Sequence, residues 1–137
     1  MFNTLKKRIK NEKGLSLVEL LAVIVILGIV AAIAVPAIGN IIQNSRDRAV
    51  LAEASSVLAG AKIAHTEGKC DAAANGGCTG TVLNDYVDGI TLTDSTVVTL
   101  SGGNWSINYE RWGEIPTDSD YTVSGAVTET NLNDLID

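Results

Sequence analysis

Residues 14–40 read GLSLVELLAVIVILGIVAAIAVPAIGN, and this stretch decides the fold. After Glu19 no charged residue occurs until Arg46, so residues 20–45 form a run of twenty-six uncharged positions, most of them aliphatic. About 20 such residues in a helix span the hydrocarbon core of a bilayer. A soluble chain of 137 residues has too small a core to cover every face of so long an apolar helix. The run therefore belongs in a membrane, in a signal peptide, or in the middle of an assembly. Glu19 interrupts it near one end. A carboxylate at the bilayer centre costs roughly 2.5–3.5 kcal/mol on insertion scales, and less toward the end of a span. An acid so placed needs a partner.

Just before the run lie Lys6, Lys7, Arg8, Lys10 and Lys13, against Glu12 alone. Cations on one flank of a span hold that flank in the cytoplasm and send the rest outward. The formal net charge of −6 hides this asymmetry. Past residue 14 there remain five basic and fifteen acidic side chains, a balance of −10. Such an acidic surface offers no general footprint for nucleic acid.

The basic leader, Lys13-Gly14, Leu15-Ser16-Leu17-Val18-Glu19, the aliphatic helix and Pro36 together resemble the precursors of the type IV pilin and type II secretion pseudopilin superfamily. The resemblance covers about the first forty residues. This chain has Leu-Ser where the family most often has Phe-Thr. The resemblance implies cleavage by a membrane peptidase between Gly14 and Leu15 and methylation of the new amino terminus. It also implies an assembly role for Glu19, now fifth in the mature chain, through pairing with a neighbour's amino terminus. Pro36 becomes a place where the helix bends or melts on assembly.

The expected fold is α+β: a long amino-terminal helix, apolar in its first half and amphipathic in its second, packed on a small antiparallel sheet. Three segments follow: a leader at 1–14, a transmembrane or filament-core helix at 15–42, and an extracytoplasmic domain at 43–137. The leader is too short and polar to be an element of its own. The helix is expected to run from Leu15 to about Glu67 and to kink at Pro36. Val50, Ala54, Val57, Leu58 and Ala61 recur at helical spacing, among the polar positions Arg46, Asp47, Arg48, Glu53 and Lys62. Frequent small residues, including Ala49, Ala52, Ala59, Gly60 and Ala64, would let a sheet approach closely.

Residues 68–81 read as a loop in which glycines, Asp71 and Asn75 end the helix. Thr96–Leu100, Trp105–Trp112 and Tyr121–Thr128 read as strands, with a hairpin turn at 101–104 and a loop at 114–120. Asn131–Asp137 is a polar tail with room for a helical turn. In strand alternation Trp105, Ile107 and Tyr109 share a face, and Trp112 falls opposite as the surface candidate.

Cys70 and Cys78 lie in the glycine-rich loop, on the side where disulfides persist, and are expected to pair. No metal site or cofactor is expected: His65 is the single histidine and there is no second cysteine pair. His65 reads as a helix-surface residue. Asp118 and Asp120 read as a solvated acidic turn, with calcium ligation as the alternative. No nucleophile–base constellation is present, so no enzyme is expected.

The resulting expectation is a filament subunit for adhesion, motility or DNA uptake, inserted in the membrane before assembly and then exposed at the cell surface. Its implied partners are copies of itself, a prepilin peptidase, a platform protein and an assembly ATPase, with nucleic acid only in a competence filament. One alternative is a secretion or competence pseudopilin. Another, from a different class, is a secreted or anchored binding domain with an ordinary signal. Ala32-Ile33-Ala34 has the small-x-small form that would release a chain beginning at Val35, although Glu19 is poorly suited to a signal peptide's apolar region.

Overall fold

The structure, a computed structural model, describes the backbone of residues 2–70 and 77–137 and the side chains of 16–70 and 77–137. The chain divides into two units, residues 1–42 and 43–137.

The first unit belongs to helix α1 (Phe2–Thr66). The helix begins in the leader, not at Leu15. Leu, Lys and Arg are good helix formers, and no proline occurs before Pro36. Pro36 lies inside the helix and does not end it. Lacking an N–H, it leaves the Ala32 carbonyl without its intrahelical donor.

The second unit contains the rest of α1, then β1 (Gly77–Thr79), the short α2 (Gly80–Leu83), β2 (Val97–Ser101), β3 (Asn104–Asn108), a 3-10 segment at Glu110–Glu114, β4 (Val127–Thr128) and α3 (Glu129–Ile136). Helix α1 stops one residue short of the expected Glu67. Gly68 takes φ 71°, its N–H meets the His65 carbonyl at 3.0 Å, and the Lys69 N–H meets that of Ala64 at 2.9 Å. These two bonds cap orphan carbonyls of the last turn in a Schellman arrangement. Asp71 and Asn75 lie outside the described residues.

The strands form one antiparallel sheet in the order β1-β2-β3-β4. The β2–β3 hairpin turns on Gly102 and Gly103, at φ 58° and 83°. Two successive positive φ values are what a two-residue hairpin turn requires, and glycine meets them without strain. Alternation puts Cys78, Val98, Ile107 and Val127 on the inner face, all buried. Thr99 and Ser106 pair across the outer face, their hydroxyls 2.7 Å apart.

The sheet packs on the second half of α1, which buries Val50, Leu51, Ala54, Val57, Leu58, Ala61 and Ala64. Only some of the small residues serve this contact. Ala54, Gly60, Ala61 and Ala64 are buried, whereas Ala49, Ala52 and Ala59 are exposed on the other side of the helix.

Several expected elements are redrawn. The loop at 68–81 contains β1, which adds to the free edge of β2. The strand expected at 105–112 ends at Asn108, and the chain coils into the 3-10 segment. Alternation stops there, so Trp112 turns inward instead of outward. It is 6% exposed, and its Nε1 donates to the Gly125 carbonyl at 3.1 Å. Of the strand expected at 121–128, only Val127 and Thr128 pair. The preceding backbone turns on itself, with Ser119 N–H to the Pro116 carbonyl and Thr122 N–H to that of Ser119. The polar tail is an eight-residue helix, α3, whose Thr128 hydroxyl accepts from the Asn131 N–H.

Candidate functional site

Within the first unit, the side chains from Ser16 to Ile42 are exposed, apart from the half-exposed Ala34. Leu17 is 68% exposed, Ile33 69% and Val35 68%. These are large aliphatic groups, each of which would gain about 1.5–3 kcal/mol by leaving water. No single face carries them. The helix is long and apolar enough to cross a membrane, with none of the span buried.

Glu19 is exposed among Leu17, Val18, Leu20 and Leu21, and among the described residues it makes no ion pair. The backbone of Gly14 and Leu15, expected at the processing site, belongs to α1, and the Leu15 side chain lies outside those described.

The second unit holds its polar groups in compact sets. Glu53 on α1 accepts from the Tyr109 hydroxyl at 2.9 Å and from Arg111. Arg111 also grips Glu114 with two parallel bonds of 2.8 and 2.7 Å. Burial, then the hydrogen bond to Glu53, pushes Tyr109 up to about 12. The Arg111 guanidinium holds the Glu114 carboxyl below its usual value, and that pairing in turn raises Arg111. Asp47 was expected on the polar side of the helix. Instead it is 1% exposed and accepts from Gln43 at 2.8 Å and from Ser119 at 2.5 Å. Sequence reasoning missed both sets. The contacts that tie each set together, Tyr109 and Arg111 to Glu53 and Ser119 to Asp47, join residues 56 to 72 positions apart, and no local spacing announces them.

Cys70 and Cys78 form a disulfide, with Cα atoms 4.6 Å apart. It ties the end of α1 to β1. Replacing both by serine is expected to cost about 2–3 kcal/mol, because a short closed loop is released in the unfolded chain. Urea unfolding of the oxidised protein and the double variant checks this. His65 is exposed and meets Trp105 edge-on, with ring centroids 5.4 Å apart. Asp118 and Asp120 are exposed and flank Ser119, which faces Asp47. Among the described residues, no three His, Cys, Asp or Glu side chains converge to hold a metal ion.

The fold and the helix thus define a class: an α+β domain on a long helix whose apolar half fits membrane insertion. Residues 9–35 match the family described as the prokaryotic N-terminal methylation motif, which supports a type IV pilin- or pseudopilin-type prepilin. No curated protein and no solved structure matches the chain.

Proposed function

We propose that the chain is a structural, non-enzymatic subunit of a type IV pilus-like filament. It is held in the membrane as a precursor, cut between Gly14 and Leu15, and polymerised through its apolar helix. The observation that carries this reading is the exposure of large aliphatic side chains on every face from Leu17 to Ile42. A bilayer covers such a surface before assembly, and neighbouring helices cover it afterwards.

Cleavage leaves an ammonium on Leu15. In a stack of helices, Glu19 of one subunit meets the amino terminus of the next. Two unit charges about 4 Å apart at an effective dielectric near 20 attract by roughly 4 kcal/mol. That is comparable to the cost of placing the acid in the membrane. The pair also sets axial register, which aliphatic contacts alone do not. The partners are copies of the chain, a prepilin peptidase, a platform protein and an assembly ATPase. The domain at 43–137 forms the filament surface outside the cell.

The test is recovery of the chain in filaments sheared from cells that also make a prepilin peptidase and an assembly apparatus. Filaments containing the chain support the proposal. A chain found only in the medium or only in the membrane fraction contradicts it.

A further inference from the structure

We propose that Arg46 holds the phosphate of a zwitterionic phospholipid headgroup on the outer side of the membrane, before the subunit enters a filament. This rests on the membrane-inserted precursor proposed above. Three observations converge on Arg46.

The first is position. Arg46 is the first charged residue after the uncharged run at 20–45. It therefore stands where the apolar span gives way to the polar domain, the level at which arginine meets headgroups.

The second is charge. Five basic side chains follow residue 14. Arg111 is held by Glu53 and Glu114, and Lys62 by Glu129. Arg48 donates to the Ile136 carbonyl and lies over the Tyr121 ring at 5.9 Å. Among the described residues, Arg46 and Lys69 make no ion pair, and Arg46 is exposed.

The third is shape. Arg46 lines an open cleft of about 410 Å³ together with Gln43, Asp47, Val50, Arg111 and Glu114. Asp47 is already satisfied by Gln43 and Ser119, and Arg111 by its two glutamates. The guanidinium of Arg46 is therefore the cation left to take a new anion. Guanidinium matches phosphate oxygens in a planar, two-pronged geometry. Glu114 keeps lone pairs toward solvent, its side chain 55% exposed, and so suits a headgroup ammonium. An anionic headgroup would meet the repulsion of the acidic domain, and a zwitterionic one does not.

The test uses the full chain in detergent micelles, with dioleoyl phosphatidylethanolamine titrated in and bound lipid counted by native mass spectrometry. Arg46→Gln is expected to weaken retention roughly fivefold, the scale of one interfacial charge contact. Arg46→Lys should keep most of the binding, and Lys69→Gln all of it. Equal retention by Arg46→Gln and the unsubstituted chain overturns the assignment. So does equally tight binding of glycerophosphoethanolamine, which lacks acyl chains and would mark a soluble-anion site. Flotation with liposomes reads insertion separately. A chain that does not float overturns the membrane-inserted precursor and this contact with it. A chain that floats, with lipid retention indifferent to Arg46, overturns only the headgroup contact.

Discussion

Glu19→Ala is expected to reduce sheared filament by at least about tenfold while leaving cleavage after Gly14 intact. Losing an attraction of roughly 4 kcal/mol weakens each subunit contact by up to about a thousandfold. Growth is a repeated addition, so the loss acts at every step. The sign distinguishes this from a membrane defect. Alanine removes a charge from an apolar helix, so the variant should insert at least as well as the unsubstituted chain. Normal membrane content with few filaments is therefore the expected result. Glu19→Gln, which keeps the shape and a hydrogen-bonding group but no charge, should resemble alanine more than glutamate. Filament yield unchanged in both variants would remove Glu19 from the assembly mechanism.

Leu51→Ala is expected to cost the second unit about 2–5 kcal/mol, the range for a fully buried leucine. Leu51 is 0% exposed and stands in the core with Val98, Ile107 and Leu132. Domains of ordinary stability hold about 5–15 kcal/mol in total, so the unfolding midpoint in urea should fall by a large fraction. Ile63 is the control. It sits on the same helix, five residues past Leu58, and is 54% exposed. Ile63→Ala should change stability by no more than about 0.5 kcal/mol. Similar losses at both positions would mean that the sheet does not pack on the face described.

The long helix was legible because its signal is redundant. Twenty-six uncharged positions outweigh any single misread residue. The hairpin was legible for a local reason: two adjacent glycines follow the β-branched Thr96–Val98 stretch, and a tight turn needs positive φ at both. What failed depends on distant contacts. Strand β1 is Gly-Cys-Thr, three residues in a glycine-rich stretch and too short to show an alternating pattern. It forms where Cys78 is tied to Cys70 and the edge of β2 is free. Trp112 was misassigned because period-2 alternation was carried past Asn108, where the chain leaves the sheet. Asp47 looked like an ordinary polar position on an amphipathic helix, and its burial follows from Ser119, 72 residues away. Of the two residues proposed to act, Glu19 announced itself as an acid in an aliphatic run. Arg46 did not, because an arginine after an apolar segment is common, and its lack of a partner appears only when the other cations are placed.

The most direct test of the central proposal is the amino-terminal residue of the mature protein, read by intact mass and peptide sequencing from native membranes. A chain that begins at Leu15, with the added mass of one methyl group, is the expected result. A chain beginning at Val35, or one still carrying residues 1–14, would contradict it.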